Sequence, residues 1–433
     1  MGAIETGLVM VISFIILMAM GVPISVATGI ASFIAAIVIV PFDVAIFTAA
    51  QKMVTGIDSF SLLAVIFFIL SGIIMNNGGI ALRLVNLAKL LGGSLPGSLA
   101  HTNVVGNMLF GSISGSAVAA AAAIGGTMAP LQEKEGYNKA YSAAVNIASS
   151  PAGLLIPPSG AFIIYSMVSG GTSIAALFLA GYVPGILMGL TVMAIAYYIA
   201  KKENYPVAKR PSFSEGTKVI IDAIPSLLLI VIVIGGIVAG VFTATEGSAV
   251  AVLYSVILSI IYKTLKWSDV PKILGETVVM TGIVLFLVAA SSIMSWVMAF
   301  SGIPAAISEA VLSISDNPII ILLIMNVVLL LVGTVMDITP AILIFTPIFL
   351  PIVTHIGMDP VHFGIVLVFN LCIGIVSPPS GSSLFVGCSV GGVSIEAVTR
   401  PLLIFMAGLI ITLLLVTYVP AISLFVPKLF GAM

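Results

Sequence analysis

Apolar runs recur along the whole chain, among them LVMVISFIILMAM (8–20), LLAVIFFILSGIIM (62–75), LLLIVIVIGGIVAGVF (227–242) and IIILLIMNVVLLLVG (319–333). With their neighbours, several reach the ~20 residues that an α-helix needs to span a bilayer core. The pattern predicts a bundle of membrane-spanning helices. Two stretches interrupt it. PPSG stands at 157–160 and again at 378–381, and each copy is followed thirteen residues later by GG and then SI. Two adjacent prolines remove amide donors and clash with the preceding turn, so each copy predicts a broken helix inside an apolar segment.

Composition sharpens the class. Of 433 residues, 60% are hydrophobic and 7% charged, against about 25% charged in soluble domains. The expected fold is an all-α polytopic membrane protein with the lipid bilayer as its first partner. The N-terminal MGAIETG lacks the basic region of a cleavable signal, so the first apolar segment is expected to be retained. A net charge of −1 names no partner by itself, and none of nucleic-acid type is expected. Cys372 and Cys388 lie in apolar segments and read as small buried hydrophobes. His101, His355 and His362 make no metal-ligand spacing, and no phosphate-binding G-x-x-x-x-G-K-[ST] loop is present. No cofactor is expected.

The chain also repeats itself. A shift of 221 places Pro130 on Pro351, Gly136 on Gly357, Gly153 on Gly374, and Pro157, Pro158, Ser159 and Gly160 on Pro378, Pro379, Ser380 and Gly381. It carries Gly170, Gly171, Ser173 and Ile174 onto Gly391, Gly392, Ser394 and Ile395. Upstream, SLPGS (94–98) faces DNPII (316–320), MNNGGI (75–80) faces MAFSGI (298–303), and GSISGS (111–116) faces GTVMDI (333–338). Such order implies a duplication. The halves are read as 1–200 and 219–433, joined by the polar stretch KKENYPVAKRPSFSEGTK (201–218).

Basic residues orient the halves, because Lys- and Arg-rich loops stay cytoplasmic. Placing 201–218 inside and reading 98–129 and 317–350 as re-entrant hairpins puts thirteen of fifteen Lys and Arg residues on the cytoplasmic side. Only Lys52 and Lys428 fall outside. Equivalent hairpins then open to opposite sides, as in an inverted repeat. If 98–129 were a simple span, that bias would weaken. Broken helices are expected at about 138–169 and 360–390.

Inverted repeats with broken helices are a transporter architecture, with ligands held at the breaks. Unwound carbonyls can take a cation, and the helix restarting after each PPSG offers amides to an anion. For a single break the alternative is a structural kink; a symmetric pair favours a site. GSISGSAVAAAAAIGG (111–126) and VGTVMDITPAILIFTP (332–347) gather small and hydroxylated residues as a hairpin tip would, although small residues also serve close helix packing. Asp337 follows LLLVG in an apolar setting, where an acid is expensive and usually functional. A structural bond to neighbouring backbone is its alternative role, and Glu246 is the next acid in line.

At these residues the chain resembles the large membrane subunit, the DctM-type permease, of tripartite ATP-independent periplasmic (TRAP) transporters. The carriers are GSISGSAVA, AGLLIPPSG, GTVMDITPA and IVSPPSG, and the resemblance covers almost the whole chain. It implies an elevator mechanism and sodium-driven import of an organic acid. It implies two partners: a separate small membrane subunit and a periplasmic substrate-binding protein. It also places one sodium site at Ser112, Ser114 and Ser116 with backbone at Gly153 and Pro157. A second falls at Gly333, Thr334, Met336 and Asp337 with backbone at Gly374 and Pro378. Substrate is expected between the tips, near Ser159, Gly160, Ser380 and Gly381. A sialic acid or a C4-dicarboxylate is the expected cargo. A channel and a stand-alone dicarboxylate or ion exchanger remain the competing classes. An intramembrane enzyme is disfavoured, since no His-Asp or Ser-Lys pair presents itself.

Overall fold

The computed structural model describes residues 2–93, 95–207, 212–315, 317–378 and 381–433. Pro379 and Ser380 lie outside the described residues, as does the middle of the linker. Among the described residues every regular element is helical. The first half runs α1 (Ala3–Ala19), α2 (Ile24–Ile39), α3 (Phe42–Ile57), α4 (Phe60–Asn77), α5 (Ile80–Gly92), α6 (Ser98–Ser114), α7 (Ala117–Lys134), α8 (Lys139–Ser149), α9 (Ala152–Leu155), α10 (Gly160–Val168) and α11 (Ile174–Lys202). The second runs α12 (Phe213–Val238), α13 (Ala244–Ile261), a 3-10 turn (Trp267–Asp269), α14 (Val270–Ser301), α15 (Ile303–Ile314), α16 (Pro318–Gly333), α17 (Ile338–His355), α18 (Pro360–Gly374), α19 (Ser382–Gly391), α20 (Ile395–Tyr418) and α21 (Ala421–Leu429). Seven described helices are long and apolar enough to cross a membrane, or eight if the pair bent by 52° at the first PPSG counts as one span.

The duplicated residues sit at element boundaries. Gly136 (φ 80°) and Gly357 (φ 82°) take the left-handed backbone that stops α7 and α17, a conformation that a β-carbon would strain. Two residues on, Asn138 and Asp359 cap the next helices, accepting from the backbone N–H groups of Tyr141 (3.0 Å) and Val361 (2.7 Å). Likewise the GG…SI signature ends one helix and starts another. Ser173 and Ser394 cap α11 and α20, each accepting a 3.2 Å bond from the third residue on.

The halves run in opposite directions. The start of α11 lies at one end of the molecule, where the Tyr165 hydroxyl donates to the Pro360 carbonyl (2.6 Å) and Ser169 donates to Thr172 (2.7 Å). The end of α20 reaches that same end, because the Thr417 carbonyl meets His362 (3.1 Å) and Tyr418 donates to Ile319 (2.8 Å). At the far end of α11, Tyr205 stacks on Tyr137 with centroids 4.3 Å apart, and its hydroxyl accepts from the Asn138 amide (3.2 Å). The pair α6–α7 therefore opens beside residue 205, and the pair α16–α17 opens beside Tyr418. Burial raises the Tyr137 phenol to about 12.

Hairpin arms are short. At 1.5 Å per residue, α6 and α16, of 17 and 16 residues, span about 25 Å, less than the ~30 Å core. Several boundaries differ from those read in the sequence. The hairpins continue to Lys134 and His355 rather than stopping at 129 and 350, because α7 runs through Pro130 and α17 through Pro347 and Pro351. Each proline frees one carbonyl, which is tolerated where that group is buried in protein or lines a cavity. The polar linker is shorter than 201–218, since α11 extends to Lys202 and α12 starts at Phe213 behind a Ser212–Glu215 capping box. The first broken helix has two interruptions, one at Ser150–Pro151 and one at 156–159.

The halves also interleave. Helix α14 packs against α2 and α3, and α13 against α4. The restarted helix α10 packs on α17, and α19 packs on α7. Each hairpin is thus gripped by the broken helix of the opposite half, which ties both breaks into one packed unit.

Candidate functional site

The two hairpin tips are built alike. Helix α6 ends at Gly115 (φ 63°), whose amide donates to Gly111 (2.9 Å), and Ser116 caps α7 by accepting from Ala119 (3.2 Å). In the second half α16 ends at Gly333, and Asp337 occupies the residue before α17. Just before each turn a glycine presses on the broken helix. A β-carbon on Gly111 would stand 2.9 Å from Gly153 Cα, and one on Gly333 would stand 2.9 Å from Gly374 Cα. Conversely, a β-carbon on Gly153 or Gly374 would collide with the partner's backbone. Only glycine at all four positions allows backbone to touch backbone there.

Next to each contact is a hydroxyl in the same posture. Ser112 donates to the Leu109 carbonyl (2.9 Å), and Thr334 donates to the Leu331 carbonyl (2.7 Å). The Ser112 hydroxyl, having donated its proton backward, keeps its lone pairs for another ligand. Ser112 is buried and adjoins the Gly111–Gly153 contact, so its oxygen is the best-placed hydroxyl of the first predicted set. Ser114 turns instead to the Ser116 carbonyl (3.4 Å), and the Ser116 hydroxyl is engaged as the cap. Gly72 of α4 packs against the Ser114 backbone, where a β-carbon would lie 3.1 Å from its carbonyl oxygen. Pro157 is buried in the break.

Around the second tip, Met336 is buried and Gly374 sits under Gly333. Asp337 differs from the reading that set it in an apolar environment. Its side chain is exposed and accepts a 2.8 Å hydrogen bond from Ser382 of α19. The apolar run before it ends one turn earlier, and the tip itself opens outward. The second break also spends its carbonyls locally. Gly374 accepts from the Ser377 amide (2.9 Å), Ile375 from Ser383 (3.1 Å) and Ser377 from Gly381 (3.1 Å). These oxygens therefore reach a ligand only through their second lone pair. Pro378 is half-buried at the edge of the described residues.

Of the expected substrate contacts, Ser159 is fully buried with its hydroxyl unpartnered, and Gly160 begins α10. Gly381 is buried ahead of α19, whereas Ser380 lies outside the described residues. Ser383 is also fully buried with an unpartnered hydroxyl. Leaving such a group unpaired costs about 1–3 kcal/mol, which a ligand would recover. Among the described residues no three His, Cys, Asp or Glu side chains converge. Both cysteines are free and buried.

Sequence reasoning missed Gly111, Ser382 and Ser383. The signal for Gly111 was present, because it stands opposite Gly333 in the aligned GSISGS and GTVMDI. Ser382 and Ser383 follow PPSG directly, but nothing in the first copy marks their positions.

A helical, interleaved duplication with two hairpin tips seated on two broken helices defines a multi-pass transport permease. The chain belongs to the family described as the DctM component of the tripartite ATP-independent periplasmic transporters, whose model matches residues 11–422. Such a permease is a transporter rather than an enzyme, and it resides in the bacterial inner membrane. Among relatives, protein YgiK of Salmonella typhimurium, described as uncharacterized, is 56% identical over 419 residues, covering 97% of this chain and 96% of that one. The sialic acid TRAP transporter large permease SiaM of Vibrio cholerae is 40% identical over 383 residues, 88% and 90% of the two chains. The C4-dicarboxylate TRAP transporter large permease DctM of Pseudomonas aeruginosa is 38% identical over the same 88% and 90%. The solved YdaH transporter of Alcanivorax borkumensis shares the fold, with a TM-score of 0.60 over 86% of each chain at 12% identity.

Proposed function

We propose that this permease imports a small organic acid, of the sialic acid or C4-dicarboxylate class, by sodium-coupled secondary transport with an elevator motion. The carrying observation is the repeated tip: glycine on glycine backbone contact, a back-donating hydroxyl and a helix restart, made once in each half. Oxygen ligands of that kind suit a small hard cation. One sodium ion is assigned to Ser112, Ser114 and Ser116 with Gly153 and Pro157. A second is assigned to Gly333, Thr334, Met336 and Asp337 with Gly374 and Pro378. The substrate carboxylate is assigned to the restarting helices, with Ser159, Gly160, Ser380 and Gly381 as its contacts, since amides at a helix start favour an anion. Relatives that carry sialic acid and C4-dicarboxylates support the cargo class.

A separate small membrane subunit would widen the fixed scaffold, and a periplasmic binding protein would deliver the acid. Exposed apolar faces such as Leu8, Ile12 and Ile15 on α1 and Val231 on α12 suit burial against such a subunit as well as lipid. Docking at the outer face would rely on acids such as Asp43, Asp58 and Asp359. The test is reconstitution in vesicles under an inward sodium gradient, with and without both partners, measuring uptake of labelled sialic acid and succinate. Uptake only with all three components and sodium is expected. Robust uptake by this chain alone would replace the assignment with a stand-alone exchanger, and sodium-independent flux would replace it with a channel.

A further inference from the structure

Between α7, α8 and α19 lies a cleft of about 200 Å³. Its outer rim carries the Glu133–Lys139 ion pair (2.8 Å), at the end of the molecule where the first hairpin opens. Deeper in is a second pocket of about 10 Å³, close to the volume that holds one water. Ala129, Ser142 and Gly391 line both, so the two spaces adjoin. The wall is polar at successive depths. Pro130 has no amide proton, so the Gly126 carbonyl lacks its usual helix partner, and both residues line the outer cleft. Ser142 is 5% exposed, with an unpartnered hydroxyl. On the floor Asn103 is 1% exposed, and its amide nitrogen is unpartnered as well.

Behind that floor is an excess of oxygen. The Asn107 side-chain nitrogen lies 3.0 Å from Asn103 Oδ1, 3.1 Å from both Asn146 O and Asn146 Oδ1, and 2.8 Å from Ser149 Oγ. An amide NH₂ has two protons, so it serves two of these four oxygens at a time. The Asn107 carbonyl oxygen is itself buried and unpartnered. Such a surplus of acceptors in a low-dielectric interior favours a cation. The cluster also adjoins the first tip. Gly111 lies one turn beyond Asn107, and the Ser150 carbonyl, next to Ser149, would stand 3.5 Å from a β-carbon on Gly111. Glycines let the walls close tightly around these spaces: a β-carbon on Gly125 would collide with the Asn146 amide, and one on Gly391 would stand 3.0 Å from Ala143 Cβ.

We propose that this cleft is the route by which the ion at the first hairpin tip exchanges with the face that carries Lys139. In it, Asn103, Asn107 and Asn146 form a staging site for a partly hydrated monovalent cation. The proposal rests on the sodium-coupled reading of the tip and extends it to a path outside the tip itself. No equivalent duplicated path is needed, because the second tip opens toward Ser382 and carries an acid of its own.

The test uses the complete three-component transporter in vesicles, in a Cys372→Ala, Cys388→Ala background. A cysteine at Ser142 should react with a small permanently cationic thiol reagent added on the Lys139 side, and saturating sodium should slow that reaction several-fold. Ser142→Val should slow sodium binding and release together by about tenfold, a raised barrier, while half-saturation by sodium stays within a factor of about two. A structural role would instead shift half-saturation, and that result overturns the route, as do unchanged exchange rates or a Ser142 cysteine unreactive at every sodium concentration. If Ser142→Val fails to assemble, the cysteine labelling decides alone. Wild-type transporter without sodium dependence would sink the tip assignment together with the route. Sodium-dependent wild type with a dry, unreactive cleft would sink the route only.

Discussion

The hydroxyls of Thr191 and Thr412 lie 2.7 Å apart, and the two residues are separated by the same 221 positions that carry one PPSG onto the other. Residues that are equivalent in a duplication and touch each other must straddle its two-fold axis. A second pair does the same: the Cys372 thiol points at the Pro151 carbonyl, 3.7 Å away and also 221 positions off. The axis therefore runs between α11 and α20 and between the two broken helices. Since α11 and α20 run antiparallel, it lies across the bundle rather than along it.

Each threonine oxygen also lies within reach of its own helix, Thr191 of the Leu187 carbonyl (2.8 Å) and Thr412 of the Gly408 carbonyl (3.0 Å). With two protons for three contacts, one threonine donates across the axis while the other donates to its own helix. Thr191→Val and Thr412→Val should each cost about 0.6 kcal/mol, the usual size of one interhelical hydrogen bond in a membrane. The double variant should cost less than the sum, because the shared bond is lost once. A double-mutant cycle of unfolding in bicelles reads this directly, and strict additivity would mean the pair is not coupled.

The glycine contacts at the tips are expected to be intolerant. Gly153→Ala or Gly374→Ala places a carbon into backbone that has no rotamer to yield, so a loss of about 1–3 kcal/mol is expected, together with loss of transport. Gly235→Ala is the control: it sits inside α12 with nothing within 4 Å of the added carbon, and should stabilise by about 0.5–1 kcal/mol. Thermal melts of the purified subunit separate the two outcomes. Equal tolerance at Gly374 and Gly235 would remove the tip contact from the argument.

Asp337→Asn keeps the hydrogen bond from Ser382 but removes the negative charge. Uptake should fall sharply, and its dependence on sodium concentration should weaken. Ser382→Ala leaves the charge and removes the restraint on it, so a smaller fall with a right-shifted sodium curve is expected. Ser114→Ala should be milder still, since that hydroxyl only spans the turn. An unaltered sodium curve in well-expressed Asp337→Asn would make the acid a helix-start residue and nothing more.

Orientation is checked by labelling. Cysteines placed singly at Lys89, in the last turn of α5, and at Ser315, just after α15, mark equivalent helix ends in the two halves. Impermeant reagents should reach Lys89 from the cytoplasm and Ser315 from the periplasm. Reaction of both from one side would contradict the thirteen-to-two distribution of basic residues as a guide to topology.

Much of this protein is determined locally, and local features are legible. Helix starts and stops depend on a few residues each, so Gly136 with Asn138, Gly357 with Asp359, and Ser173 with Ser394 declare their boundaries in both copies. Proline is a weaker guide inside a membrane bundle. Read from sequence, the hairpins end at 129 and 350, just before Pro130 and Pro351, yet the helices continue, because neighbouring protein or a cavity can accommodate a freed carbonyl that isolated sequence cannot place.

The sequence by itself determined the membrane class, the duplication, the two breaks and the glycine-rich tips, since each rests on composition, periodicity or a residue's own backbone preference. Tertiary structure alone decided what meets what. The burial of Ser159 and the exposure of Asp337 depend on how far each tip sinks against a helix distant in sequence. The grip of α10 on α17 and of α19 on α7 follows from interleaving two halves about one axis. The surplus of oxygens around Asn107 comes from α6 crossing α8, two polar faces that are unremarkable until packing removes water from between them.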